Sequence, residues 1–271
     1  AAIYYGNLSL LQLSLGRILL AVADAERAVD YADRSGDAFQ RISKRTALAD
    51  ARHQQGEWEA ARRGFAEAEA MQAERKLEYL QLYSRPGFRY GELLLTEAER
   101  AAWGGPAAAE GSEGCAQVAQ RAAQALPIAM RNNHLLSIAL AQLTLARSAP
   151  YTDLLHGRTP GEDAQQHTEA AVAGLHRAGD QDELPLGLLT RAWLRHGLNN
   201  TDGAQADLAE AQRIAERGGM KLHLADIALT RARLFEDKAE LAKARALIEA
   251  CGYERRLPEL EDAEQRLRLT Q

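Results

Sequence analysis

The feature that most constrains the fold is a stretch of about 30 residues that occurs twice near the N-terminus. Residues 6–37 align with residues 45–75 when Gly16 is placed on Gly56, which is an offset of 40 residues. Each copy has a helical pattern, a turn that contains glycine and a second amphipathic helical pattern. Self-similarity at a fixed spacing predicts that copies of one helix pair stack on one another.

Small side chains recur at fixed steps in the second helix of each copy. Ala21 and Ala28 occupy these steps in the first copy, and Ala61 and Ala68 occupy them in the second. Two antiparallel helices approach closely only where the side chains between them are small, so we expect the helices to cross at these alanines. Larger side chains then fill the spaces between helices. These are Leu8, Leu48, Trp58 and Phe65.

The pattern returns in residues 184–219 and 222–252, and stop signals rich in glycine or asparagine separate the copies. Leu257-Pro258-Glu259 predicts a last helix that caps the array. We therefore expect an all-α solenoid of about six antiparallel helix pairs in one domain, as part of a longer protein. The expected repeats are approximately 1–37, 38–77, 78–131, 132–179, 180–219 and 220–252, with a cap at 253–271. The stop signals are Ser35-Gly36-Asp37, Asn132-Asn133, Gly179-Asp180, Gly218-Gly219 and Cys251-Gly252.

The third repeat is less regular than the first two. We expect one helix from about Tyr79 to Trp103, followed by a loop that begins at Gly104-Gly105-Pro106. A second helix is expected from about Ser112. The segment 104–114 is rich in glycine, but no lysine follows it and no strand precedes it, which favours a loop between helices over a phosphate-binding loop.

The fourth repeat also contains a long insertion. We expect its first helix to end near Ser148 and a loop to cover residues 149–159. The sequence Thr159-Pro160-Gly161-Glu162 is typical of a helix start, with threonine as the N-cap, proline at the first position and glutamate at the third.

Composition supports a helical protein and excludes several other classes. Alanine (53) and leucine (40) supply about a third of the 271 residues, whereas aromatic residues are 6%, which argues against a β-sandwich or barrel. The apolar content of 46% is enough to bury a core, so general disorder is excluded. The net charge of −5 argues against nucleic-acid binding. No apolar run is long enough to span a membrane, and we expect no secretory signal because the first residues have no basic region.

Motifs that carry catalytic or metal-binding chemistry are missing from the sequence. There is no GxxxxGK[ST] and no HExxH, and no two of the seven histidines have the i, i+4 spacing of helical metal ligands. Cys115 and Cys251 form no CxxC pattern, so we interpret them as free thiols in helices, which is consistent with a reducing cytoplasm. We therefore expect no enzyme activity, no metal site and no cofactor.

The repeated residues resemble the tetratricopeptide repeat, whose pattern has glycine at the turn and alanine, phenylalanine and alanine along the second helix. The stretch from Gly56 through Ala61 and Phe65 to Ala68 matches this pattern. Ala98 departs from it, because it stands where the turn glycine of the third repeat is expected. The spacing near 40 residues is similar to the long-helix variety in the C-terminal sensor regions of bacterial signal-transduction NTPases and of the maltose-regulon activator.

The resemblance implies a right-handed superhelix in which the first helix of each pair lines a concave groove. It also implies that certain first-helix positions face a bound partner. These positions are Ser43, Thr46, Asp50 and His53 in the second repeat, Arg85, Phe88 and Glu92 in the third, Arg147 in the fourth, Trp193 and His196 in the fifth, and Asp226, Arg233 and Glu236 in the sixth.

Three of these positions have a structural interpretation beside the functional one. His53 and His196 occupy equivalent places in two repeats, and are either half-exposed residues without a special role or hydrogen-bonding groups for an acidic or peptide ligand. Trp193 is either a packing residue or a platform on which a ligand stacks.

The two arginines of the implied groove also leave two interpretations open. Arg147 and Arg233 either pair with nearby acids such as Glu92 and Glu236, or they form a carboxylate clamp. A clamp is chemically reasonable because the guanidinium fork binds a carboxylate through two hydrogen bonds.

Three functional hypotheses follow from the sequence. The preferred one is a non-catalytic, cytoplasmic scaffold that binds a protein or peptide in the groove, as the sensor or interaction arm of a larger bacterial regulator. The partner could be the NTPase or effector domain of the parent protein. The alternative is an arm that oligomerises or inhibits its own effector domain and binds no small ligand. The third, an enzyme, is disfavoured because no nucleophile–base or metal constellation is visible.

Overall fold

The computed structural model of the chain describes residues 1–75, 80–104 and 110–269, and these residues form helices and no strands. A short 3₁₀ helix (Glu254–Arg256) lies between the last two α-helices. The α-helices are α1 (Ala2–Ser14), α2 (Ile18–Ser35), α3 (Ala38–Gln54), α4 (Trp58–Arg75), α5 (Ser84–Leu94), α6 (Thr96–Ala102), α7 (Glu110–Arg131), α8 (Leu135–Leu155), α9 (Glu162–Ala178), α10 (Leu184–Gly197), α11 (Thr201–Gly218), α12 (Lys221–Phe235), α13 (Lys238–Cys251) and α14 (Leu257–Leu269).

Consecutive helices pack pairwise, which confirms the prediction of an all-helical, repeat-like array. The pairs with the most extensive contact are α1 with α2, α3 with α4, α7 with α8, α8 with α9, α10 with α11, and α12 with α13. The predicted stop signals lie at the ends of α2, α7, α9, α11 and α13. The predicted last helix begins at Leu257, as expected.

The helix crossings fall on the predicted small residues. Ala21, Ala28, Ala61 and Ala68 are all completely buried. The first crossing is so close that the Ser9 hydroxyl on α1 donates to the carbonyl oxygen of Ala21 on α2, at 2.8 Å. In both N-terminal pairs, the turn glycine between the helices has a positive φ that glycine adopts at little cost.

The third repeat differs from the sequence prediction, because the single helix expected at about Tyr79–Trp103 is broken. Tyr79 lies outside the described residues, α5 begins at Ser84, and a turn at Leu95 separates it from α6. At this turn the Thr96 hydroxyl donates to the carbonyl oxygen of Glu92, at 3.2 Å, and such bonds bend helices. The following helix, α7, begins at Glu110 rather than Ser112; the loop predicted from Gly104 falls largely outside the described residues.

The fourth repeat also differs from the prediction. Helix α8 does not end near Ser148 but continues through Pro150 to Leu155, because Tyr151 is buried in a core cluster and Leu155 packs against it. The burial of Tyr151 and the packing of Leu155 offset the cost of the backbone hydrogen bond that is missing because Pro150 has no N–H group. Thr159 is not the N-cap of the next helix either, since α9 begins at Glu162 and Gly161 is its N-cap.

The two ends of the array meet. Leu13 and Ile18 share a core cluster with Leu229 and Ile248, which lie on α12 and α13. A Cβ atom on Gly16 would lie 2.5 Å from the sulfur of Cys251, so only glycine fits at this contact. The helical array therefore closes on itself, and the 3₁₀ helix and α14 come to lie against its inner side. Within residues 1–75, 80–104 and 110–269, no helix combines the length and apolar character needed to cross a bilayer.

Candidate functional site

The centre of the closed array is held by Arg256, which lies on the 3₁₀ helix and is 5% exposed. Its Nε donates to Asp226 on α12 at 2.8 Å. Its Nη1 donates to Glu99 on α6 at 3.0 Å and to Glu259 on α14 at 2.6 Å. One guanidinium group thus joins three helices. Burial raises the pKa of Glu259, although Arg256 opposes this effect.

Arg147 on α8 lies beside this group and is 1% exposed. It forms an ion pair with Glu92 and donates to Glu99 Oε2 at 2.9 Å. Of the two interpretations given for Arg147, the structure shows the pairing with a nearby acid. Because two buried carboxylates already occupy this guanidinium group, it does not present a fork to a ligand.

Asp50 and Gln54 of α3 connect the N-terminal half to the 3₁₀ helix. The Gln54 amide donates to Asp50 at 2.7 Å, and Arg255 Nη1 donates to Gln54 Oε1 at 3.3 Å. Arg255 Nη2 lies 3.6 Å from a Glu92 oxygen, and its Nε and Nη2 make no hydrogen bond within the described part of the chain. Arg255 is therefore the least satisfied of the buried arginines at the centre.

His53 is completely buried, so it is not the half-exposed residue considered from the sequence. Its Nε2 lies 3.3 Å from the Thr96 hydroxyl. The Thr96 hydroxyl donates its hydrogen to the carbonyl oxygen of Glu92. We therefore assign the hydrogen of the imidazole to Nε2 of His53, which donates to the Thr96 oxygen. Burial, together with Arg255, Arg256 and other arginines, lowers the pKa of His53 well below its usual value. His53 is therefore neutral at pH 7.

Two further predicted residues lie on α5. Arg85 crosses to the start of α10, where it bonds Asp180 at 2.5 Å and Glu183 at 3.1 Å. Arg89, which the sequence analysis missed, bonds the same Glu183 at 2.6 Å. Phe88 is buried in the largest core cluster and is absent from the wall of the large cavity described below.

Four further predicted residues, at the C-terminal side of the array, are partly or fully exposed. The Trp193 ring packs 5.4 Å from the Tyr151 ring, which supports its packing interpretation. The His196 ring lies 5.5 Å from that of Phe235. Arg233 donates to the backbone carbonyl of Glu259 rather than to a side chain. The last predicted residue, at the end of α12, is the exposed Glu236.

A cavity of about 460 Å³ opens beside Arg255 and Arg256. Helices α1, α3, α5, α10 and α12 line it, so it is the inner face of the array narrowed by the 3₁₀ helix. The structure brings six predicted residues together in its wall: Ser43, Thr46, Asp50, Arg85, Glu92 and Asp226. Trp193 and Arg233 line a separate cavity of only about 40 Å³, which is too small for an organic ligand.

Lys44 is a cavity residue that the sequence analysis missed. It is 9% exposed, and in the described residues it has no hydrogen-bond or ion-pair partner. Burial lowers the pKa of its ammonium group. Gly6 of α1 makes room for it, because a Cβ atom there would lie 2.7 Å from Lys44 Nζ. Nothing in a local pattern indicates this contact, since it depends on how α1 packs on α3.

The described residues contain no cluster of three or more histidine, cysteine, aspartate or glutamate side chains that could hold a metal ion. Cys115 and Cys251 are free and lie in helices, as predicted. Both are buried, and burial raises the pKa of Cys115 to about 11. The fold and the cavity together define an all-helical, repeat-like array with an internal polar cavity. In comparisons with known proteins, no family model and no curated protein matches the sequence.

Proposed function

We propose that the chain is a non-catalytic binding module of the tetratricopeptide type, built as a right-handed solenoid of about six helix pairs. It acts as the cytoplasmic sensor or interaction arm of a larger bacterial regulator. The pairwise packing of neighbouring helices and the small residues at their crossings support this class. The resemblance to sensor regions of bacterial regulators supports the biological role.

The observation that carries the proposal is the cavity of about 460 Å³, which falls within the usual size of ligand pockets. Its wall combines charged groups with apolar side chains such as Leu13, Leu186 and Met220. The preferred ligand is compact, either a small molecule or the end of a peptide. A long extended peptide is disfavoured because Glu92 and Asp226, which were expected to face it, are engaged by buried arginines.

The same cavity supplies a mechanism for a sensor. Its wall contains residues of helices that meet where the array closes, such as Leu10 on α1 and Leu222 on α12. A ligand that contacts both helices binds the closed arrangement of the array more tightly than an open one. Binding therefore shifts the population towards the closed arrangement. Binding in the cavity thereby changes the surface offered to the rest of the regulator.

The test is a thermal-shift screen of small metabolites and short peptides with the wild-type chain and an Ala47→Phe variant. Ala47 lines the cavity, so the larger ring reduces the space for a ligand. An Ala66→Phe variant, which is changed on the exposed face of α4, is the matched control. We expect compounds that stabilise the wild type and the control but not Ala47→Phe. If no compound binds, or if Ala47→Phe binds equally well, the cavity is not the binding site.

One observation favours the alternative of an oligomerisation arm. Helices α1 and α2 carry large apolar side chains that are 47–70% exposed, and such patches often mark interaction surfaces. They are Ile3, Tyr4, Leu10, Leu11, Leu19 and Leu20. Sedimentation over a range of concentrations tests whether a second copy covers these side chains. A dimer that a Leu19→Asp, Leu20→Asp double variant dissociates supports the alternative, whereas a strict monomer contradicts it.

A further inference from the structure

Lys44 is the cation in the cavity wall whose charge the described residues leave without a partner. Unpaired ammonium groups are costly to bury, and the cost is met by water or by a bound anion. The lowered pKa of Lys44 reflects this cost. The packing of α1 on α3 holds Lys44 in this position, because the absence of a side chain at Gly6 leaves room for the end of the Lys44 side chain.

The carboxylates in the cavity wall do not provide the missing counter-charge. Asp226 accepts hydrogen bonds from Arg256 and from the Tyr253 hydroxyl. Glu92 forms its ion pair with Arg147. Asp50 accepts from Gln54 and lies 3.6 Å from the guanidinium group of Arg89. Asp182, whose side chain is exposed, lies 3.8 Å from the guanidinium group of Arg85. These four acids are engaged by other groups.

Arg255 adds a second, incompletely satisfied cation to the wall. Within the described residues it makes one hydrogen bond, to the neutral amide of Gln54, and its Nη2 lies 3.6 and 3.7 Å from oxygens of Glu92 and Glu99. Apolar side chains from two directions, among them Leu13 from α1 and Met220 before α12, complete the wall. The cavity thus offers positive charge together with apolar surface.

We propose that the cavity binds a small organic anion with an apolar body, and that Lys44 binds its charged group while Arg255 adds to the positive field. This inference rests on the proposed binding function and adds the chemical class of the ligand. A carboxylate matches the site because the ammonium group supplies charge-assisted hydrogen bonds to its oxygens. The apolar body lies against the leucines and the methionine.

Isothermal titration calorimetry of the whole chain with octanoate, and with 1-octanol as the uncharged control, tests this proposal. We expect saturable binding of one octanoate per chain and binding of 1-octanol that is at least about tenfold weaker, in line with the strength of a charge-assisted hydrogen bond. A Lys44→Met variant, which keeps most of the side-chain volume, is expected to lose that preference. Lys238→Met, changed on an exposed lysine at the start of α13, should bind octanoate like the wild type.

A Gly6→Ala variant provides a second measurement, because it keeps the charge of Lys44 but displaces the end of its side chain. We expect weaker octanoate binding and unchanged binding of 1-octanol. Equal binding of the two probes, no binding of either, or an unchanged affinity in Lys44→Met overturns the anion site. If 1-octanol binds and Ala47→Phe blocks it, the proposed binding function survives and only the charge recognition fails.

Discussion

The crossing of α3 with α4 and the centre around Arg256 stabilise the same fold by different means. At the crossing, Ala49 and Gly64 approach so closely that a Cβ atom on Gly64 would lie 3.1 Å from that of Ala49. At the centre, Arg256 binds three carboxylates from three helices. The crossing depends on the size of the side chains, whereas the centre depends on each charge having its partner. The two regions should therefore respond differently to substitution, acidity and salt.

The largest effect is expected from Arg256→Ala. The substitution leaves Glu99, Asp226 and Glu259 without the guanidinium group that binds all three. Removing one partner of a buried ion pair typically costs about 3–5 kcal/mol of unfolding free energy. Urea denaturation measures this loss, with Arg63→Ala on the exposed face of α4 as the control. A loss no greater than that of the control would show that the central charges contribute little.

A smaller loss is expected from Ala68→Leu at the crossing, because added methylene groups in a packed core cost about 1–3 kcal/mol. Ala68 is completely buried. Ala66, two residues earlier on the same helix, is exposed, so Ala66→Leu should change the unfolding free energy by less than about 0.5 kcal/mol. Equal losses in the two variants would mean that the crossing is not tightly packed. Neither loss should depend on pH.

The centre, by contrast, should respond to pH through Glu259. Burial raises the pKa of this carboxyl group above its usual 4.5, so the wild type loses stability as the pH rises from 4.5 through the raised value. A Glu259→Gln variant lacks this titration. The unfolding free energy of the wild type minus that of the variant should therefore fall across this window, by at most about 1.4 kcal/mol per pH unit. A difference that rises with pH would contradict the predicted shift.

The smallest effect is expected from a surface ion pair, for which Asp33 provides the example. Arg45 and Arg41 donate to this carboxylate and lower its pKa, but its side chain is 41% exposed. Asp33→Asn should therefore cost less than about 1 kcal/mol at pH 7. Because the folded pKa is lowered, the difference is present above pH 3.8 and disappears as the pH falls through the folded value. Salt should reduce it further, and denaturation at two ionic strengths checks this.

Local patterns predicted the regular parts of the fold and misjudged the insertions. The sequence allowed prediction of the turn glycines, the buried alanines and the helix start at Leu257, because each of these features depends on residues only a few positions apart. The turn at Leu95 and the continuation of α8 through Pro150 were not predicted. The Thr96 hydroxyl bonds the Glu92 carbonyl at that turn, and α8 continues because Tyr151 is buried in a core cluster. The consecutive arginines Arg255 and Arg256, just before the last helix, were a visible signal that the sequence analysis did not use.

The sequence by itself determined that this chain forms antiparallel helix pairs that cross at alanine, because helical periodicity and side-chain size act over short distances along the chain. Only the tertiary structure decided that the array closes on itself and that its expected groove becomes a cavity. The contacts responsible join residues far apart in the sequence, such as Arg255 with Gln54 and Arg256 with Glu99. No local pattern specifies such pairs, since the relative placement of whole helices brings them together.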